Sequence, residues 1–183
     1  MPTDLSIMEK AALTVQDWAG SFKPDLAIIL GSGWADVLDG ARQVRQLPYS
    51  SIPGLGAVTV QGHAGSLSLT VHSGRSLLVF EGRRHWYEGD GWTPVLLPIF
   101  LSLHLKTPGV LLTNAAGGIR PDLSPGDLVI IDDHLNLMGS NPLAGSHLPV
   151  FGPRFPAMDA VYNPAMRESL HQAAADAGVP VKH

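Results

Sequence analysis

The sequence predicts an α/β fold, because short apolar runs end directly in small or polar residues and alternate with segments of helical periodicity. Residues 26–30 (LAIIL) and 109–113 (GVLLT) have the length and the bounds of buried strands. A third run, residues 128–131 (LVII), follows a Pro-Gly-Asp turn signal at 125–127. Ligands of open α/β sheets bind at the carboxyl ends of the strands, so the residues after these runs are the first site candidates.

The N-terminal segment predicts an amphipathic helix. Ser6 and Glu9 fit a capping box, and apolar residues then recur at helical spacing as far as Trp18. Gly20 is expected to end this helix. Residues 42–56 contain prolines and glycines and are expected to form a connection.

Three further strands are expected in the middle of the chain. Residues 58–60 and 67–71 alternate weakly and flank a hairpin signal, GHAG, at 62–65. Residues 77–80 (LLVF) form another apolar run. These strands add to the three apolar runs described first.

Two more helices are predicted from their start signals. The Thr-Pro pair at 93–94 opens an apolar helix that bends at Pro98. The Asn-Pro pair at 163–164 opens a final helix, which ends at Gly178. Residues 179–183 then indicate the start of another strand.

Composition excludes several classes of function. The net charge of −4 and the lack of a basic cluster argue against nucleic acid and anionic membranes as partners. The chain contains no cysteine, which excludes disulfides and thiolate sites. It has no signal-peptide pattern and no uninterrupted apolar segment long enough to span a bilayer, so a cytoplasmic location is expected.

A glycine-flanked serine follows the first predicted strand, at Gly31-Ser32-Gly33. Such a turn can present backbone N–H groups and a hydroxyl to an anion, although a tight βα turn explains the same residues. Asp36 stands where the dinucleotide fingerprint needs its third glycine, which argues against a dinucleotide-binding domain.

The segment 82–89, GRRHWYEG, is the second chemically dense stretch. If it is extended, Arg83, His85 and Tyr87 share one face. An arginine fork and an adjustable imidazole suit a phosphate dianion, and the tyrosine suits a ribose. A solvated, charged loop is the alternative.

The third candidate is Asn114-Ala115-Ala116-Gly117-Gly118, after the strand predicted at 109–113. Its two glycines permit a close approach of the backbone to a ligand. Tight packing within an ordinary strand–turn–strand unit would also explain them.

Taken together, the strings LAIILGSG, GHAG, GRRHWYEG, TNAAGG, DHLNL and RFPAM resemble the trimeric class of purine nucleoside phosphorylases. The resemblance implies a three-layer α/β/α fold with a central mixed β-sheet flanked by helices, in a single domain at 1–183. It implies reversible phosphorolysis of purine ribo- and deoxyribonucleosides to the free purine and (deoxy)ribose 1-phosphate. No metal or organic cofactor is expected, and inorganic phosphate is a co-substrate.

The resemblance also implies roles for single residues. Those expected to bind phosphate are Ser32, His63, Arg83, His85 and Ala115. Those expected to contact the nucleoside are Tyr87, Ala115, Gly117 and, from a neighbouring subunit, Phe155. His85 and Asn114 are expected to act in catalysis, and Glu88 to orient His85 or a water molecule. The role of Phe155 implies a homotrimer, whereas a core-packing role is the alternative.

Members of this family continue beyond the position of His183, and that part carries their purine-binding residues. The resemblance therefore implies a domain that is incomplete at its C-terminus. The sequence contains the residues expected to bind phosphate and lacks those expected to bind the purine base. An inactive phosphate-binding remnant is one alternative. The specificity of methylthioadenosine phosphorylase, which shares the architecture, is another.

Overall fold

The computed structural model describes residues 3–56 and 65–183. The strand predicted at 58–60, and His63, therefore lie outside the described residues. The chain divides into two compact units, of which the first ends at Ala115 and the second begins at Ala116. Among the described residues, no helix combines the length and the apolar character that crossing a bilayer requires.

A mixed sheet forms the first unit's framework and has five strands in the part of the chain that the structure describes. In chain order they are β1 (Leu26–Ile29), β2 (Arg42–Pro48), β3 (Ser66–His72), β4 (Arg75–Glu81) and β5 (Val110–Leu112). The spatial order is β2-β3-β4-β1-β5. Pairing is antiparallel from β2 to β4, and β1 is parallel to both β4 and β5.

The central strands β1 and β4 are buried and apolar on both faces. Ile28 of β1 lies beside Val79 of β4 on one face, where both belong to a buried cluster. Ala27 lies beside Leu78 on the other face, and both are fully buried. Burial on two faces explains why β1 is apolar at successive positions instead of alternating.

Two helices accompany the sheet in this unit, α1 (Leu5–Ala19) and α2 (Trp92–His104), and they pack against each other. Met8 of α1 and Leu97 of α2 are fully buried. The expectation of a central mixed sheet flanked by helices is confirmed. The predicted end of α1 is also confirmed, since Gly20 is its C-cap with φ of 60°.

Both helix starts differ slightly from the prediction. Asp4, and not Ser6, is the N-cap of α1, and its carboxylate accepts the N–H of Ile7 at 3.1 Å. A carboxylate also brings a negative charge, which a helix N-terminus stabilises. α2 begins at Trp92, one residue before Thr93, and the Thr93 hydroxyl accepts the N–H of Asp4 at 2.9 Å instead of capping its own helix.

The prediction of a connection at 42–56 is wrong for its first half, which is β2. This strand lies at the edge of the sheet and is exposed on both faces, so its sequence lacks apolar alternation. Arg42 and Arg45 are typical of an edge strand, because charged side chains discourage pairing with another chain. The hydrogen bond from Gln46 Nε2 to Ser66 Oγ, at 2.9 Å, adds to the backbone pairing with β3.

The second unit contains a parallel pair of short strands, β6 (Leu128–Val129) and β7 (Val181–Lys182), and the helix α3 (Pro164–Asp176). Asn163 is the N-cap of α3, and its side chain accepts the N–H of Met166 at 3.0 Å. The predicted start of this helix and the strand after it are confirmed.

The expectation of a buried strand at 128–131 is wrong in two respects. The strand covers only residues 128–129, and Val129 remains 48% exposed. Its partner β7 has two residues, and the N–H of Ile130 donates to the carbonyl oxygen of Lys182 at 2.9 Å.

A small ion-pair cluster lies beside this strand pair. The guanidinium of Arg120 donates to both carboxylate oxygens of Asp122, at 2.9 and 2.6 Å. Lys182 Nζ donates to the carbonyl oxygen of Asp122 at 3.0 Å. The Arg120 hydrogen bonds, more than the charge of Lys182, lower the pKa of Asp122 to about 2 from its ordinary value of 3.8.

We expect the Arg120–Asp122 pair to persist well below pH 4. A lowered pKa in the folded state means that the contribution of the pair is fully present above pH 3.8 and is lost as the pH falls through about 2. Carboxyl-carbon NMR shifts of Asp122 should titrate near pH 2 and move toward 3.8 in Arg120→Gln. An unchanged midpoint in that variant would contradict the assignment.

Candidate active site

The carboxyl ends of β1 and β5 are joined through Thr113, the residue after β5. Its Oγ1 accepts the N–H of Gly31 at 2.9 Å, and its own N–H donates to the carbonyl oxygen of Ile29 at 3.1 Å. Ser32 and Asn114 follow directly, and both are exposed. The predicted serine turn and the predicted asparagine–alanine turn therefore lie side by side.

Arg83 follows β4, the other neighbour of β1, two residues after that strand ends at Glu81. Its Nη1 donates to the carbonyl oxygen of Thr113 at 2.6 Å. A β-carbon added to Gly31 would lie 2.7 Å from this Nη1 and 2.8 Å from Cα of Asn114, and would clash with the Thr113 carbonyl oxygen. The three predicted stretches thus converge at one end of the sheet.

The electrostatics of this end favour an anion. Arg83 is half-buried, and burial lowers the pKa of its guanidinium. The side chain nevertheless keeps its charge, as arginine does in proteins. A partly desolvated cation gains most from a ligand with several anionic oxygens, because charge-assisted hydrogen bonds then replace the lost hydration.

His85 is held by Glu88. One oxygen of this carboxylate, Oε1, accepts the backbone N–H of His85 at 2.6 Å and lies 2.9 Å from its Nδ1. The Glu88 side chain is only 5% exposed. A carboxylate at Nδ1 fixes the direction of the imidazole ring and favours a proton on that nitrogen.

The segment after His85 is a 3₁₀ turn at Trp86–Glu88, so the alternation expected for an extended strand does not apply there. The hydrogen bond from the His85 backbone to Glu88, together with Gly89 in the left-handed region, closes this turn. Tyr87 still lies beside the histidine, with ring centroids 4.9 Å apart and 20° between the planes. Its side chain is largely exposed.

Arg84 is a structural partner that the sequence analysis missed. It is only 7% exposed, and its Nε donates to Glu88 Oε2 at 2.7 Å. It also donates to the Leu55 carbonyl oxygen at 3.1 Å and to the carboxylate of Asp90. The i, i+4 spacing of Arg84 and Glu88 was the signal in the sequence that indicated this ion pair. The carboxylate that holds His85 is therefore itself held by Arg84.

Tyr49 fixes the other end of the segment. It is 1% exposed, and its hydroxyl donates to the carbonyl oxygen of Gly82 at 2.7 Å. Burial, aided by the charge of Glu81, raises the pKa of this hydroxyl far above its ordinary value. The tyrosine therefore stays protonated and remains a donor.

The other predicted site residues that the structure describes are exposed. The carbonyl oxygen of Asn114 accepts the indole N–H of Trp34 at 3.4 Å, and Ala115 is exposed. Gly117 and Phe155 belong to the second unit, and both are exposed. Within residues 3–56 and 65–183, no three His, Cys, Asp or Glu side chains are grouped to hold a metal ion.

Comparison with known proteins identifies the family. The profile of the phosphorylase superfamily matches residues 25–183. The chain belongs to this superfamily. Purine nucleoside phosphorylase 1 of Geobacillus stearothermophilus is 40% identical over 159 residues, which are 87% of this chain and 58% of that phosphorylase. The family resemblance seen in the motif strings is thereby confirmed.

Solved structures of the superfamily agree with the fold. The purine nucleoside phosphorylase of Schistosoma mansoni in complex with acetate has a TM-score of 0.86 and 35% identity, covering 97% of this chain and 66% of that one. A purine nucleoside phosphorylase in complex with ribose 1-phosphate has a TM-score of 0.84 and 36% identity, with the same coverages. This chain thus spans 58 to 66% of the length of these phosphorylases.

Replacement of Gly31 by alanine should destabilise the first unit. The new methyl group would meet the Thr113 backbone, which cannot move aside as a flexible side chain would, and overpacking of this kind costs about 1–3 kcal/mol. Urea unfolding measures the change. Gly117→Ala is the matched control for stability, because no atom of the described residues, apart from the glycine and its chain neighbours, lies within 4 Å of the added β-carbon. Equal losses in the two variants would contradict the close approach.

Replacement of Arg84 by methionine should cost about 3–5 kcal/mol of unfolding free energy, because it leaves the buried Glu88 carboxylate without its cation. Arg75, an exposed arginine at the start of β4, provides the control, and Arg75→Met should change stability by no more than about 0.5 kcal/mol. Thermal or urea unfolding compares the two. A small loss in Arg84→Met would show that Glu88 is well solvated.

Proposed function

We propose that this chain forms the phosphate-binding part of a phosphorylase that cleaves purine nucleosides. The observation that supports this most directly is the convergence of the Gly31-Ser32 turn, Arg83 and the Thr113-Asn114 turn at adjacent strand ends. The relative with bound ribose 1-phosphate supports the same class of reaction. The chain spans about three fifths of the length of a related phosphorylase. That this chain alone turns over a nucleoside is therefore also a proposal.

In the proposed reaction, an oxygen of inorganic phosphate forms a bond to the anomeric carbon of the sugar. The bond from that carbon to the purine nitrogen breaks, and the purine leaves with the electron pair and takes up a proton. The products are the free purine and ribose 1-phosphate or its deoxy form. The protein must hold phosphate in line for attack and stabilise the charge on the departing base.

The first of these tasks is assigned to the converging residues. Ser32 and Ala115 would bind phosphate through hydroxyl and backbone donors, and Arg83 would supply the cation. His85, oriented by Glu88 at Nδ1, would donate to a phosphate oxygen through Nε2 when both ring nitrogens carry a proton, and would act in catalysis with Asn114. His63 is included on the family resemblance alone.

The nucleoside side of the site is proposed from fewer observations. Tyr87 stacks on His85 and has an exposed face that a ribose could cover. Gly117 would allow the purine to approach the backbone. Phe155, 88% exposed, would cover the ribose in a neighbouring subunit, so a homotrimer is part of the proposal.

No metal or organic cofactor enters this proposal, because phosphate itself is the nucleophile. A cytoplasmic location is also proposed. The sugar phosphate product is charged and cannot enter the apolar interior of a membrane, so it remains in the compartment where it is formed.

Phosphate binding without turnover is the second candidate function. The observation in its favour is that the converging contacts of Gly31, Arg83 and Thr113 lie at the part of the site proposed to bind phosphate and not the base. An assay for phosphate-dependent release of hypoxanthine from inosine separates the two candidates. Release above the blank supports the phosphorylase, whereas phosphate binding without release supports the second candidate.

Arg83→Ala should weaken phosphate binding about ten- to a hundredfold, because it removes a charge-assisted hydrogen bond to the anion. Nucleoside binding should change much less. Isothermal titration with inorganic phosphate and with inosine measures both, and Arg75→Ala is the control with an arginine lost from the opposite end of β4. Equal weakening for both ligands would remove Arg83 from its proposed role.

A further inference from the structure

We infer that Thr113 is a positioning residue for the phosphate site, which sets the arrangement of the Gly31-Ser32 turn and Arg83 relative to each other. The inference rests on the proposed function, because it assigns a part in phosphate binding to a residue that does not itself touch the ligand. Neither the sequence motifs nor the comparisons give this threonine a role.

The hydroxyl of Thr113 fixes the serine turn. Its Oγ1 donates to the carbonyl oxygen of Ile29 at 3.4 Å and accepts the N–H of Gly31 at 2.9 Å. Because the hydroxyl proton is directed to Ile29, a lone pair is directed to Gly31. Thr113 is 8% exposed and Gly31 is buried, so water cannot replace this acceptor without a rearrangement.

The backbone carbonyl of the same residue fixes the arginine. It accepts Nη1 of Arg83 at 2.6 Å. A guanidinium is planar and its donors have a fixed geometry, so a bond at one nitrogen directs the whole plane. The direction in which Arg83 meets an anion thus depends on where the Thr113 carbonyl points.

The two contacts are coupled through one rigid residue. A β-branched side chain has few χ1 states. Because the Thr113 hydroxyl is hydrogen-bonded to Ile29 at the end of β1, the orientation of the Thr113 backbone is restricted as well. The spacing leaves little freedom, because a β-carbon at Gly31 would clash with the Thr113 carbonyl oxygen. Removing the hydroxyl should therefore disturb the serine turn and the arginine together.

Thr113→Val tests this inference, because valine keeps the branched shape and removes the acceptor. We expect the Kd of this chain for inorganic phosphate to rise at least about tenfold, as a result of the lost Gly31 hydrogen bond. Thr113→Ser keeps the hydroxyl and should remain within about threefold of the unmodified chain. Isothermal titration with inorganic phosphate gives each Kd.

Thr93→Val is the matched control. Thr93 has the same 8% exposure, and its Oγ1 also accepts a backbone N–H, that of Asp4, at 2.9 Å. Both valine variants should lose similar unfolding free energy in urea, but only Thr113→Val should lose phosphate affinity. This contrast separates positioning of the site from a general loss of stability.

Each outcome bears on the inference. If the unmodified chain does not bind phosphate, the proposed function fails, and the inference fails with it. If the unmodified chain binds and Thr113→Val binds equally well, only the inference is overturned. Should Thr113→Val not fold, Thr113→Ala replaces it as the test: a folded alanine variant with weakened phosphate binding supports the inference, and one that binds as well as the unmodified chain overturns it.

Discussion

The parallel pairing of β1 with both of its neighbours is the constraint on which the candidate site depends. Parallel strands end at the same edge of a sheet, so the segments after β4, β1 and β5 meet there. The register is explicit, since Ile29 lies beside Phe80 on one side and Leu112 on the other. A slip of one residue would turn every β1 side chain to the opposite face and separate Gly31 from Thr113. The apolar core therefore determines the geometry of the polar site.

Buried charges have a second, more local part in the arrangement. Arg84 and Glu88 are both almost completely buried, and pairs of this kind contribute little net stability because desolvation offsets their attraction. Their value here lies in geometry. The carboxylate that accepts from Arg84 also holds the ring and backbone of His85, so the ion pair determines where the imidazole points.

The sequence predicted those parts of the fold whose signals are local. β1 lies in an apolar run at 26–30 that is followed directly by Gly31, and α3 opens with the Asn-Pro pair at 163–164. β2 could not be predicted in the same way, because an edge strand exposed on both faces has no apolar alternation. The motifs indicated the converging segments, but the supporting contacts are long-range. Arg84 donates to Leu55, and Thr113 bonds to Gly31, across 29 and 82 positions of the chain.

The segment 82–89 is anchored at both of its ends. Tyr49 holds the carbonyl oxygen of Gly82 from a buried position, and Arg84 ties the closing turn to Leu55 and Asp90. An anion that arrives at Arg83 meets a preorganised loop, so little conformational entropy is lost on binding. At the proposed phosphate site, selectivity would then follow from rigidity, because a loop with few alternative shapes cannot adapt to oxyanions whose size or geometry differs from that of phosphate.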